Sequence, residues 1–214
     1  MKNFWRFLTL IVLAASSVSC NPTEGPVEKA PIKVLEGNVS LEDMEFGMYY
    51  GTTRQDELSV YRVVLSDAVC FRDGYGDPYL DSEGDMLVLE FRAKQDSDAP
   101  IMIPEGTYEV GATKSGDYTI NVANSYVKRL IGSTQYHYEL VGGTIDVGRN
   151  DEGGYDILTD LVIAKGSEQF SAAYSYNGYI KFEDWNKVAA SLLTIKEDII
   201  NIPFTDASAV YYGN

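Results

Sequence analysis

Most of this chain alternates between apolar and polar positions. "LSVYRVVL" (58–65) sets Tyr61, Val63 and Leu65 on one side, and "DMLVLEFRA" (85–93) sets Leu87, Leu89 and Phe91 against Val88, Glu90 and Arg92. A period of two marks a strand, because successive side chains leave a pleated backbone on opposite faces. "GTYEVG" (106–111), "DYTINV" (117–122), "QYHYELV" (135–141), "GTIDVG" (143–148) and "GYDILTDLVIA" (154–164) repeat the pattern. In "QFSAAYSYNGYIKF" (169–182), Phe170, Ala172, Tyr174, Tyr176, Ile180 and Phe182 share a face. β-branched and aromatic residues suit such half-buried strands. Between the strands, "DGYGDP", "DSEGD", "IPEG", "KSGD" and "RNDEGG" supply turn chemistry. Short strands at this spacing, without helical crossovers, predict an all-β fold: an antiparallel β-sandwich, with a β-barrel as the alternative. One segment departs from the pattern. After Asp184, a suitable N-cap, Trp185, Val188, Ala189, Leu192 and Leu193 recur at helical spacing, so one short C-terminal helix is expected.

The N-terminal residues read as an export signal. Lys2 and Arg6 precede an apolar run over 7–15 and a small-residue exit over 16–19. That run is shorter than the roughly 20 residues of a membrane-spanning helix. "SVSC" resembles a bacterial lipobox, which implies cleavage before Cys20 and acylation of its thiol. The expected organisation is a signal peptide over 1–19, a lipid-anchor linker over 20–36 and a β module over 37–184. A connector with the helix follows over 185–201, then an extra strand over 202–214.

That last strand echoes the start of the module. "AVYYGN" (209–214) repeats the Tyr-Tyr-Gly of "GMYYGT" (47–52), where chance predicts roughly 0.1 occurrences of the triplet. The string "GMYYGT…YRVVLSD…GDMLVLEFRA…IPEGTYEVG…GGTIDV…GGYDILTDLVIA…EQFSAAYSYNGYI" resembles a β module of Bacteroidetes lipoproteins, over roughly 45–184. The resemblance implies an early Tyr-Tyr-Gly strand, a "GG-x-V" hairpin, a late "Y-x-G" strand and relatives built of tandem modules. It implies a fold and an address and brings no activity with it. On this reading 202–214 begins a truncated second module; the alternative is a closing strand of one domain.

Charge narrows the partners. The chain carries a formal net charge of -15. Removing Lys2 and Arg6 from its 17 basic residues leaves 15 against 32 acidic ones. Such a field repels nucleic acid and anionic lipid, so the expected hold on the bilayer is acylated Cys20. With Cys20 acylated, Cys70 is the remaining thiol, no intrachain disulfide forms, and a small buried residue is its expected role.

Catalytic constellations are weak. His137 is the only histidine and stands on a strand face with Gln135 and Glu139, opposite Tyr136, Tyr138 and Leu140; it reads as a surface residue. No G-x-S-x-G or P-loop spacing occurs. "DGYGDPYLDSEGD" gathers acids in one connection, and Asp77, Asp81, Glu83 and Asp85 are the oxygen donors that calcium would take there. The competing reading is a solvated hairpin loop shaped by Gly and Pro. No other cofactor is expected. Aromatic platforms for a sugar face are offered by Tyr75 and Tyr79 in that loop, and by Tyr136 with Tyr138 or Tyr174 with Tyr176. Core packing and cross-strand pairing compete for the strand tyrosines.

The expected function is that of a non-enzymatic cell-envelope lipoprotein at the outer membrane, on its periplasmic or cell-surface side, binding a polysaccharide or an envelope protein. An adhesin or fimbria-like subunit assembling through its C-terminal strand is the alternative. A hydrolase using two of the acids is the third reading.

Overall fold

The alternating segments form strands almost everywhere the periodicity places them. The computed structural model describes residues 32–35, 38–53, 57–73, 77–95, 99–111 and 116–186 of the unit Pro31–Asn214. In chain order the strands are β1 (Lys33–Val34), β2 (Val39–Leu41), β3 (Asp43–Thr52), β4 (Ser59–Ser66), β5 (Cys70–Arg72), β6 (Pro78–Leu80), β7 (Gly84–Ala93) and β8 (Gly106–Val110). They continue with β9 (Thr119–Ile120), β10 (Tyr126–Ile131), β11 (Thr134–Arg149), β12 (Tyr155–Lys165), β13 (Glu168–Ala172), β14 (Tyr174–Gly178) and β15 (Phe182–Asp184).

The fold is all-β, and its centre is the barrel alternative: β7, β10, β11, β8 and β9 pair in a ring that returns to β7. Closure removes the exposed edges that an open sheet would present. Two wings extend the ring, β4 with β3 and β15 on one side, β12 with β13, β14 and the two N-terminal strands on the other. Antiparallel pairing dominates as expected. Four short parallel ladders depart from it: β1 on β13, β2 on β14, β15 on β3 and β9 on β8.

Closure depends on a bend inside β11. Its first part pairs with β10 through Thr134 to Glu139, and its second with β8 through Gly143 to Val147. The register along β12 shifts between Leu140 and Gly142. Gly143 has φ +109°, and a Cβ there would lie 2.0 Å from the Asp160 carbonyl oxygen. A side chain is excluded at this corner, as at other tight barrel bends. "VGGTIDV" is therefore not a hairpin turn between two strands, as the resemblance implies, but a bend in one long strand whose other edge stays paired with β12.

Two apolar clusters hold the fold. The larger lies inside, where Tyr61, Val63, Leu65, Leu87, Leu89 and Phe91 are fully buried and meet residues of β10, β11, β12 and β14. The smaller lies on the opposite face of β3, β4 and β7, where Phe46, Met48, Val64, Met86 and Val88 pack under Cys70 and Leu80 of the β5–β6 hairpin. Burial on both faces is why β4 and β7 hold the unbroken apolar runs Val63–Leu65 and Met86–Leu89.

Helical backbone begins at Trp185 and Asn186, directly after Asp184. The remainder of the expected helix, the extra strand over 202–214 and Cys20 lie outside the described residues.

Candidate functional site

The hairpin covers only part of that outer face. Beyond Val64 and Val88, the positions facing the same way are Arg62 and Val60 on β4 and Glu90 and Arg92 on β7, with Arg62 opposite Glu90 and Val60 opposite Arg92. There the described residues form a groove of about 420 Å³, lined by Tyr50, Thr52, Arg62, Glu90, Arg92 and Asn124 among others. Tyr50 reaches it because of a bulge. The β3–β4 register shifts between Tyr49 and Gly51, so Tyr49 packs on Tyr61 with ring centroids 5.1 Å apart while Tyr50 stays 40% exposed. Bulges commonly re-aim side chains next to functional sites. Gly51 follows at φ +84°, where a Cβ would meet Asn186 at 2.9 Å. The Tyr-Tyr-Gly phrase thus sets one tyrosine toward the core and the other, beside Trp185 at 6.5 Å, into the groove's wall.

Glu90 anchors the polar part. It is 5% exposed, and a buried carboxylate needs hydrogen bonds to remain charged. Asn121 Nδ2 donates to Oε1 at 2.6 Å, Asn124 Nδ2 donates to Oε2 at 2.6 Å, and Arg92 Nη2 lies 3.4 Å from Oε1. The short 3₁₀ turn Val122–Asn124 delivers these amides, and Ser125 Oγ accepts the Glu90 N–H. Burial raises the pKa of the Tyr126 hydroxyl, and the Arg62 cation pulls it back. Lys128 donates to the Pro78 carbonyl at 2.8 Å, tying the hairpin to the sheet, and burial lowers its pKa.

The expected site residues disperse. Tyr75 lies outside the described residues. Tyr79, on β6 rather than in a loop, is 39% exposed and sits 6.0 Å from Phe71 on the outer surface of the hairpin. Tyr138 is 5% exposed and packs edge-on against Phe170, so Tyr136 and Tyr138 do not form an open platform: that face of β11 is the core face. Tyr136 is half-buried, with Lys165 Nζ 4.4 Å from its ring centre. Tyr174 and Tyr176 are buried as well. His137 is exposed and lies against Tyr126. Cys70 is buried, its Sγ 3.5 Å from Met86 Sδ.

Of the four acids expected to take calcium, Asp85 and Glu83 have protein partners. Asp85 points inward, where Arg129 Nε donates to Oδ1 at 2.5 Å, Arg129 Nη2 to Oδ2 at 2.6 Å and the Tyr174 hydroxyl to Oδ2 at 3.0 Å. Glu83 accepts the Gly132 N–H instead. Among the described residues no three His, Cys, Asp or Glu side chains converge as metal ligands. A smaller cleft of about 330 Å³ borders this ion pair. There Asp67 Oδ1 accepts the Asp85 N–H at 2.6 Å, and burial, then the Asp85 charge, raises the Asp67 pKa.

Sequence reasoning set Glu90 and Arg92 on the right face without marking them as a site. The available signal was charge of both signs inside strands otherwise apolar on both faces. Comparison with protein-family models, with curated proteins and with solved structures yields no match.

Proposed function

We propose that this protein is a cell-envelope lipoprotein of the Bacteroidetes type, held at the outer membrane by acylated Cys20, that binds a glycan without transforming it. The observation that carries the reading is the groove that the described residues form on β3, β4 and β7, where Tyr50 stands beside Arg62, Glu90, Arg92 and Asn124. Sugar hydroxyls donate and accept at once, and planar side chains of both kinds match them: guanidinium donors, a carboxylate acceptor and an amide. The C–H face of a sugar ring stacks on an exposed aromatic, the place Tyr50 takes. A volume of about 420 Å³ falls in the range of small-molecule sites.

Binding fits better than hydrolysis. Glycosidases use two carboxyl groups roughly 5–9.5 Å apart. Among the described lining residues of the groove Glu90 is the one carboxylate, and its oxygens are already engaged by two amides. The test is retention on a panel of immobilised polysaccharides. Tyr50→Ala should weaken retention roughly tenfold, about 1.4 kcal/mol, and Tyr79→Ala should leave it unchanged. Equal retention of the Tyr50→Ala variant, or loss with Tyr79→Ala alone, sinks the assignment to this groove.

A further inference from the structure

One polar group in the groove has unspent bonding capacity. Arg62 stands directly across from Glu90, yet Asn121, Asn124 and Arg92 are the groups that reach the Glu90 oxygens. Among the described residues the buried Arg62 Nε–H has no hydrogen-bond acceptor, and the Arg62 cation acts on the Tyr126 hydroxyl. A partly desolvated cation is costly unless paired, and one neutral hydroxyl offsets that cost only in part. Lys128 adds to the imbalance, since its charge and that of Arg62 repel. Asp73 and Asp77 act on Lys128 from the hairpin side. A planar anion with two acceptor oxygens suits a guanidinium that lines a groove, because the fork holds it through parallel hydrogen bonds.

Resting on the glycan-binding reading above, we infer that the sugar seated in the groove carries a carboxylate and that Arg62 selects it. The ring of such an acidic sugar lies against Tyr50, and its carboxylate reaches the Arg62 fork. The rest of the molecule limits how acidic the ligand is. A chain of net charge -15 repels a polyanion. A single carboxylate in contact with Arg62 responds to the local cation instead, because charges more than about 8 Å away are largely screened at physiological ionic strength. The ligand class is therefore an otherwise neutral glycan ending in, or branched with, one uronic or other carboxylated sugar.

The experiment is a glycan array holding matched sets: neutral oligosaccharides, the same glycans capped by one carboxylated sugar, sulfated counterparts and polyuronates, probed with the full chain. The acid-capped members should bind about tenfold tighter than their neutral partners, the gain of one charge-assisted bidentate contact. Arg62→Gln should erase that difference, so that acid-capped glycans and their neutral partners bind the variant alike. Arg62→Lys, which keeps the charge without the fork, should retain part of it, and thermal unfolding of both variants establishes that they are folded. Binding confined to neutral or sulfated glycans, a preference for polyuronates, or an acid preference that survives in folded Arg62→Gln overturns the inference and leaves the glycan-binding reading standing. Binding to no glycan overturns the reading itself, and the inference with it.

Discussion

Replacing Asp85 with Asn probes the buried ion pair at the Gly84 end of β7. The side chains of Asp85 and Arg129 are 3% and 10% exposed, and the guanidinium spends two N–H groups on the two carboxylate oxygens. Asparagine offers one acceptor oxygen, and its amide would turn a donor toward a donor. It also removes the negative charge, and the Tyr174 hydroxyl bonds the same Oδ2. Breaking a buried pair from one side costs about 3–5 kcal/mol. Asp67 also feels the Arg129 charge and offsets part of the loss, so the lower end, about 3 kcal/mol, is expected. For a domain of this size that is roughly 6–12 °C in Tm. The assay is urea unfolding followed by far-UV circular dichroism, with the midpoint falling and the m-value unchanged. The companion variant, Asp85→Leu with Arg129→Met, removes both charges and should recover most of the loss, because apolar replacements of buried pairs are often neutral or stabilising. A single variant within about 1 kcal/mol of the native protein, or a double variant as unstable as the single, would refute the reasoning.

Asp67→Asn tests the neighbouring carboxyl. Its folded pKa is raised, chiefly by burial, so its protonated form is favoured in the fold. That stabilisation is fully present below the unfolded pKa of about 3.9 and is lost as pH rises through the higher folded value. Asparagine keeps the acceptor for the Asp85 N–H and cannot ionise. The variant should match the native protein near pH 3 and exceed its Tm at pH 7; a gap that shrinks or reverses with rising pH contradicts this. Cys20→Ala should release the chain from the membrane fraction into the soluble one, and persistent association would refute acylation as the anchor.

The faces of individual strands were legible because face is a local property. Tyr61, Val63 and Leu65, and Leu87, Leu89 and Phe91, were assigned by alternation alone and are fully buried together. What alternation does not carry is which segment covers each face. Val64, Val88, Arg62 and Glu90 share one side of β4 and β7, yet the hairpin that connects the two strands packs on the first two, while the others line the groove. Gly142 and Gly143 have the composition of a turn, and only the ladder to β12 shows a continuing strand. Asp85 looked like one of a cluster of loop acids. One residue past Gly84 it has entered β7, where alternation sends it to Arg129. Tyr136 and Tyr138 share a face, as their spacing requires, but their neighbours make it the inner one.

The most direct test of ligand binding in the groove uses Trp185, which lies 6.5 Å from Tyr50. On the proposed cleavage before Cys20, Trp5 leaves with the signal peptide and Trp185 is the single tryptophan reporter. Titration with the polysaccharide best retained on the column should shift or quench its fluorescence saturably, and Tyr50→Ala should move the midpoint to roughly tenfold higher concentration. Retention without any change at Trp185, or a midpoint that Tyr50→Ala leaves in place, would contradict binding at this site.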